Sequence, residues 1–199
     1  YKGSVPQMKE RLKKEYDGYH FSDVLTDIYN PFSILNVFDS NRINDYWFKT
    51  GTPTYLIRLL NHTQENLNEL TGKYYDPSEF IDYKADVEMP LPMIYQSGYL
   101  TIKDYNMDMN TYLLDFPNNE VKKGFVTMVA NDYLKSKNLA GGWARDLVDA
   151  LKSADLERFR KLLTSFLADI PYTMRRKETE RERERYFHYT FYLLMRMVS

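Results

Sequence analysis

The chain has 199 residues, of which 28 are acidic and 27 are basic, and its formal net charge is −1. This length allows one or two small domains with a hydrophobic core, and the near-neutral charge gives no overall field that would favour nucleic acid or an anionic membrane. The absence of cysteine excludes disulfides and cysteine-ligated zinc, and no apolar run reaches the about 20 residues of a membrane span, so we expect a cytoplasmic protein.

Two amphipathic helices are predicted in the first 40 residues. The segment VPQMKERLKKEY, residues 5–16, repeats apolar side chains every three or four positions, as a helix with one buried face does. It ends before the turn residues Asp17 and Gly18. Asn30 followed by Pro31 predicts the start of a second helix, because Asn caps free backbone N–H groups and Pro has none. The expected buried stripe of the second helix is Ile34, Leu35 and Phe38.

An aromatic segment, YDGYHFSDVLTDIYNPFSILNVF, spans residues 16–38, in a chain with 18 Tyr, 11 Phe and 2 Trp. Tyr buries a large ring while its hydroxyl stays close to water or a polar partner. We therefore interpret the segment as packing in a Tyr-rich core, since a stacking surface for bases needs aromatic residues interleaved with many cations. His20 is the candidate for contact with a cofactor. The alternative interpretation, which is the commoner one, is a hydrogen-bonded packing residue.

The middle of the chain predicts a β-hairpin between helices. A cap-like start at residues 76–79 begins one short helix, and Gly98 suits the left-handed position at the end of the next. Residues 99–104 and 111–115 alternate in the manner of antiparallel strands with one buried face. The side chains expected to face the helices are Leu100, Ile102, Leu113 and Phe116. A further helix led by Glu120 completes the outline of a winged-helix-like module.

The C-terminal third is predicted to be helical, so the expected fold class is mainly α with a small antiparallel β-hairpin. A charge-alternating stretch at residues 175–185 runs into the apolar segment YFHYTFYLLMRM. A helix that is apolar around this much of its circumference is normally buried on more than one side. We expect it to pack on the helices of residues 143–167 or to drive self-association through residues 186–198. The first residue, Tyr1, and this apolar end both suggest a piece of a longer protein.

Five ordered blocks carry a family resemblance: YDGYHF, YNPFSILNVF, YWFKTGTPTYLIRLL, LPMIYQSGYLTIKDYN and YLLDFPNNEV. The chain resembles the predicted AAA-ATPase-like family of Bacteroidetes-type bacteria, whose members join an N-terminal ATPase-like domain to a C-terminal PD-(D/E)XK nuclease-like domain. The resemblance implies that residues 1–60 end the ATPase-like domain as lid-like helices. It further implies that residues 61–138 form the winged-helix-like module and that residues 139–199 are a helical linker into the nuclease-like domain. ATP and Mg²⁺ are then expected in the parent protein, and no cofactor in this region.

No catalytic set and no metal-ligand set is expected in this chain. Gly72–Lys73 lacks the first glycine and the final Ser or Thr of a phosphate-binding loop. Asp115 with Glu120–Lys122 imitates a nuclease metal site, but Glu120 opens a helix and does not lie on a strand beside Asp115. Asp76 with Asp82–Lys84 is a similar imitation. We therefore predict that the chain alone neither hydrolyses ATP nor cuts DNA.

Two functions from different classes remain. The first is a non-catalytic connector that couples the two flanking domains of the same parent chain. The second is a nucleic-acid-binding module that presents DNA to the nuclease-like domain. Its candidate contacts are Lys122, Lys123, Lys135 and Lys137, on or just after the helix that follows the hairpin. Acidic residues in the hairpin (Asp104, Asp108 and Asp115) oppose contact with phosphate, so the connector is favoured.

Overall fold

The structure, a computed structural model, describes residues 4–50, 70–81, 90–134, 142–169 and 180–198. It is mainly α-helical with a small antiparallel sheet, which confirms the predicted α+β class. The chain divides into two compact units, Tyr1–Phe125 and Val126–Ser199. The division into residues 1–60, 61–138 and 139–199 rests on the family resemblance and stays a prediction.

In its described residues the first unit alternates helices with three short strands. Its elements are α1 (Val5–Tyr16), α2 (Pro31–Ser40), a 3-10 helix (Trp47–Thr50), β1 (Lys73–Tyr75), α3 (Pro77–Phe80), α4 (Leu91–Gln96), β2 (Thr101–Asn106), β3 (Thr111–Asp115) and the start of α5 (Asn119–Leu134). The predicted helix starts are confirmed. Asn30 Oδ1 accepts from the backbone N–H of Phe32 and Ser33, and Asp76 and Glu79 form a reciprocal capping box.

The buried face of α2 differs from the predicted stripe. Leu35 and Phe38 are 65% and 64% exposed, and Ile34 is half-buried, whereas Ser33 and Val37 are buried. The cause is a long-range bond, because the Ser33 hydroxyl donates to a buried carboxylate on α5. This bond turns the helix so that a small polar residue points inward and two large apolar residues point outward.

Strands β2 and β3 form the predicted hairpin, and β1, which the sequence did not reveal, pairs with the other side of β3 in the order β1-β3-β2. Ile102 lies opposite Leu114, and both are buried. The prediction that Leu113 faces the helices is wrong, since Leu114 is the fully buried residue and neighbours in a strand point to opposite faces. Phe116, two residues after Leu114, is buried as predicted.

Aromatic rings fill the core of the first unit. Tyr99 lies 4.9 Å from Trp47 and 5.0 Å from Phe125 between ring centroids, and Phe125 lies 5.5 Å from Phe116. Such tilted pairs add about 0.5–1.5 kcal/mol beyond the area that they bury. Burial raises the pKa of Tyr99 to about 12, so the ring stays neutral at physiological pH. The Tyr-rich core is confirmed.

The described residues of the second unit contain the end of α5 and the helices α6 (Gly142–Lys152), α7 (Leu156–Asp169) and α8 (Glu180–Val198). Helix α8 packs against α6, and Tyr186, Leu193 and Leu194 are buried. Phe187 and Phe191 on the same helix are exposed. Part of the apolar surface of α8 therefore has a partner within the chain, and self-association through residues 186–198 stays a prediction. None of the described helices is both long and apolar enough to cross a membrane.

Candidate interaction site

Residues 19–28 form a closed loop, the 19–28 loop, between helices α1 and α2. The backbone N–H groups of Tyr19 and Ile28 each donate to the other's carbonyl oxygen at 3.1 Å. Next to this pair, the N–H of Asn30 donates to the carbonyl oxygen of Tyr16 at 2.8 Å. These three bonds join the two ends of the loop and place the end of α1 beside the start of α2.

His20 is buried at the base of this loop, and all its polar groups are engaged. Its N–H donates to Thr101 Oγ1 at 2.8 Å, and its carbonyl oxygen accepts from the same hydroxyl at 2.7 Å. Its ring Nδ1 lies 2.7 Å from the carbonyl oxygen of Ile102, and Nε2 lies 2.8 Å from Oδ1 of Asp27. The structure thus places His20 as a hydrogen-bonded packing residue, and its contact with a cofactor stays a prediction.

Asp27 connects the far end of the loop to helix α1. Its Oδ2 lies 2.9 Å from Nζ of Lys13, while its Oδ1 faces His20. The hydrogen bond from Lys13, and after it the one from His20, holds the pKa of Asp27 below its usual range. The bond to Asp27 in turn raises the pKa of Lys13. Since both side chains are partly exposed, water weakens the ion pair, and its main consequence is a fixed geometry.

A β-bulge in β2 provides the second attachment of this region. The β2–β3 register shifts between Ile102 and Asp104, and such a bulge re-aims a side chain. Lys103, the residue between them, donates from Nζ to the carbonyl oxygens of Gly18 and Pro117, each at 2.9 Å, and burial lowers its pKa. Gly18 has a φ of 93°, and a Cβ there would lie 2.5 Å from the Pro117 oxygen, so this contact requires glycine.

The tip of the 19–28 loop presents apolar side chains to solvent. Phe21 is 73% exposed and Val24 is 76% exposed. Leu25 has a left-handed φ of 51°, which costs an L-residue about 1–2 kcal/mol. Strained residues of this kind persist where the surroundings hold them, and they are concentrated at functional sites. A rigid loop with two exposed apolar side chains is the candidate interaction site.

Glu120 joins three separate segments of the first unit. Its side chain is fully buried. Its Oε1 accepts from the backbone N–H of Tyr46 at 2.6 Å and of Trp47 at 2.9 Å, and its Oε2 accepts from the Ser33 hydroxyl at 2.7 Å. It lies in the first turn of α5, after the cap Asn118, where the helix dipole favours negative charge. In the sequence Glu120 is recognisable as the start of a helix and as an imitation of a nuclease residue, but this role is not, because its partners lie 73 to 87 residues away.

The lysines proposed to contact nucleic acid do not form a basic surface among the described residues. Lys122 is half-buried, and Lys123 is paired with Glu15, whose Oε2 lies 3.3 Å from its Nζ. Lys135 and Lys137 lie outside the described residues. The positions of the described pair give no support to a phosphate-binding face on α5.

The turn of the hairpin is apolar and acidic. Asn106 Oδ1 accepts from the backbone N–H groups of Asp108 and Met109 at 3.0 and 3.1 Å, which fixes the turn. Met107 and Met109 are 81% and 71% exposed. The segment 104–116 contains no Lys or Arg. This turn is therefore suited to a protein contact and unsuited to phosphate.

The sequence motifs that partly resemble a phosphate-binding loop or a nuclease metal site do not form catalytic sites in the described part of the chain. Gly72–Lys73 leads into strand β1 and is not followed at once by a helix. Both oxygens of Glu120 are bound to Ser33, Tyr46 and Trp47, as given above. Residues 82–84 of the other imitation lie outside the described residues. No group of three or more His, Asp or Glu side chains is arranged around a metal position in the ranges that the structure describes.

A bacterial protein is similar to most of this chain. It comes from Azotobacter chroococcum mcd 1 and is described as an uncharacterized protein in the vnfD 5' region. The two sequences are 27% identical over 186 residues, which make up 92% of this chain and 36% of the relative. The chain thus spans about a third of the relative's length. No family model and no solved structure matches the chain.

Substitution of Glu120 tests whether its carboxylate joins these segments. Glu120→Leu leaves two N–H groups and a hydroxyl without their acceptor, and we expect the free energy of unfolding to fall by about 3–5 kcal/mol. Glu120→Gln keeps one oxygen for Tyr46 and Trp47 and should cost about 1–2 kcal/mol. Urea denaturation measures both losses. Glu157→Gln, in the exposed first turn of α7, is the matched control, and a similar small loss in all three variants would contradict the assignment.

The Asp27 bonds predict a specific acid sensitivity. Because its pKa is lowered in the folded protein, Asp27 contributes stability that is fully present above its ordinary pKa of about 3.9. That contribution is lost as the pH falls from there through the folded-state value. Asp27→Asn should therefore reduce the stability at pH 7 and flatten its decline below about pH 4. Urea denaturation at pH 7, 4 and 3 measures this, with Asp23→Asn in the same loop as control. An unchanged acid profile in Asp27→Asn would disprove the expectation.

Proposed function

We propose that this chain is a non-catalytic connector in a longer cytoplasmic protein and that it couples an ATPase-like domain to a nuclease-like domain. The Azotobacter relative supports the proposal, since this chain corresponds to 36% of that protein. On this proposal ATP and Mg²⁺ belong to the ATPase-like domain of the parent. The described residues do not fit a phosphate-binding loop, because Gly72 precedes a strand where such a loop opens a helix.

The observation that carries the proposal is the combination of a bonded base and an apolar tip in the 19–28 loop. His20 and Asp27 are the side chains of the loop that could take part in acid–base chemistry, and both form their bonds within the chain itself. Two of the outward side chains, Phe21 and Val24, are large and apolar, beside exposed Ser22, Asp23 and Thr26. A pre-organised apolar loop loses little conformational entropy when it binds, which favours association with another protein domain.

Coupling would follow from the attachments of the loop. Thr101 and Lys103 bind its base to β2, and Glu120 binds α2 to α5. A displacement of a domain docked on the loop would therefore act on both the hairpin and α5. The exposed rings of Phe187 and Phe191 support a second contact, self-association through residues 186–198, as part of the same proposal.

The alternative function is a nucleic-acid-binding module. The strand order β1-β3-β2, with the short helices α3 and α4 among the described residues between β1 and β2, supports a winged-helix-like arrangement. The charges oppose it, because Lys103 is directed to the backbone and the exposed hairpin tip carries Asp108 beside Met107 and Met109. DNA binding depends mainly on cations that neutralise phosphate, so the connector is the better-supported function.

The connector proposal predicts that the 19–28 loop docks on another domain of the full-length parent protein. The double variant Phe21→Ser with Val24→Ser removes the apolar contact without touching the bonds at the base. In scanning calorimetry of the full-length protein we expect it to split a shared unfolding transition into two. Leu156→Ser, at an exposed apolar residue on α7, is the control for loss of exposed apolar surface. An unchanged single transition in the loop variant would rule out docking through this loop.

A second measurement separates the connector from the DNA-binding alternative. We expect the 199-residue chain to show weak binding to a labelled duplex, and log K should not fall steeply with log salt concentration between 50 and 200 mM, since few phosphate contacts form. Fluorescence anisotropy measures the slope. A steep slope that is reduced by Lys122→Glu with Lys123→Glu would favour the DNA-binding module. Arg145→Glu with Lys161→Glu, at two exposed residues on α6 and α7, makes the same change in net charge and is the control.

A further inference from the structure

We propose that the groove between α1 and α2 binds an acidic amphipathic helix of a partner protein. The groove is a cavity of about 520 Å³. Its apolar lining comes from both helices and the segment after α2, and consists of Met8, Leu12, Val37, Phe38 and Ile43. Protein sites that enclose a ligand group are typically about 300–1,000 Å³ and mostly apolar, with a few polar groups that fix orientation.

The floor of the groove is part of the hydrophobic core. Val37 is buried in one cluster with Tyr16 and Tyr46, and Leu12 and Ile43 pack against that cluster. The Tyr16 hydroxyl is fixed by two bonds to the backbone of residue 44. The groove is therefore supported by rigid side chains, and a ligand would not have to reorganise it.

Two arginines give the groove its charge. Arg11 and Arg42 line it and are both exposed, and none of its lining residues is acidic. In the described part of the chain Arg42 forms no ion pair. The C-terminal end of α2 adds only about half a negative charge, which the full positive charge of Arg42 exceeds. An apolar floor with two guanidinium groups at its rim suits a ligand that is apolar on one side and acidic on the other.

The shape of the surface favours a helix over a small hydrophobic acid. The apolar surface continues along α2 from Phe38 to Leu35 and Phe32, which are spaced by three residues and exposed. Six residues of helix span about 9 Å, which is enough to contact nearly two turns of a partner helix. Amphipathic helices bind such grooves through apolar side chains at positions i, i+3 or i+4, and i+7. This surface is separate from Phe21 and Val24, so the inference does not depend on the connector proposal.

Two synthetic 18-residue helical peptides test the proposal directly. They share Leu at positions i, i+3, i+4 and i+7 and differ only in carrying Glu or Lys on the flanking positions. We expect the acidic peptide to bind the 199-residue chain roughly tenfold or more tightly than the basic one, as measured by fluorescence anisotropy. Equal binding of the two peptides would overturn the charge argument without the need for any variant of the protein.

Variants then locate the site. Arg42→Glu should lower the affinity for the acidic peptide by roughly tenfold or more and raise the affinity for the basic peptide. Phe38→Ser should lower the affinity for both peptides. Both side chains are exposed, so folding should survive, and circular dichroism checks it. Arg145→Glu is the matched control and should change nothing. Unchanged binding by folded Arg42→Glu and Phe38→Ser would place the peptide elsewhere and refute the groove.

Two further experiments test whether the groove binds a small molecule or a second copy of the chain instead of a partner helix. Dodecanoate is an apolar chain with one carboxylate. If it binds as tightly as the acidic peptide or more tightly, the groove is a small-molecule site and the proposal of a helix ligand is refuted. Sedimentation of the protein alone reports a second copy as occupant. Concentration-dependent dimers that Arg42→Glu abolishes and that the acidic peptide dissociates would also overturn the proposal. A monomer that binds the acidic peptide selectively supports it.

Discussion

The carboxylate of Glu120 is the interaction on which the first unit depends. It brings a charged acceptor into a fully buried position, where an ion without partners would cost several kcal/mol, and it meets three donors there. Two donors are the backbone N–H groups of Tyr46, just before the 3-10 helix, and of Trp47, its first residue, and the third is the Ser33 hydroxyl on α2. Because Ser33 must point inward, Leu35 and Phe38 must point outward. The exposed apolar surface of α2 is thus a consequence of a buried charge.

In the 19–28 loop, too, polar bonds fix the backbone and leave apolar side chains exposed. Its base is polar and bonded, through His20 and Asp27 to β2 and α1, whereas its tip is apolar and exposed. Ser22, Asp23 and Thr26 are exposed beside Phe21 and Val24, as is usual in a surface loop. The bonds at the base hold Phe21 and Val24 away from the core and keep Leu25 in its left-handed conformation. Polar bonds here position the chain, and apolar side chains remain available for contact.

Local signals in the sequence predicted local structure well. Asn30 and Asp76 cap their helices as expected, because a cap involves residues only two or three positions apart. The candidate site was not predictable in this way. Glu120 and Ser33 are 87 residues apart, and His20 binds the carbonyl oxygen of a residue 82 positions away. No periodicity records such pairs, so the inward side of α2 was misassigned, and a charged residue inside the core could not be told from one at an active site.

The bulge in β2 has a consequence for assembly. Among the described strands β2 lies at the edge of the sheet, and an exposed edge offers unpaired backbone groups to any other strand. Here the carbonyl oxygen of Ile102 is taken by an imidazole, and the Lys103 ammonium extends away to the backbone of two other segments. Because of its bulge and of the His20 and Lys103 side chains beside it, β2 is a poor partner for another strand. Polymerisation by strand addition is therefore opposed at this edge, and partners are left to approach through side chains.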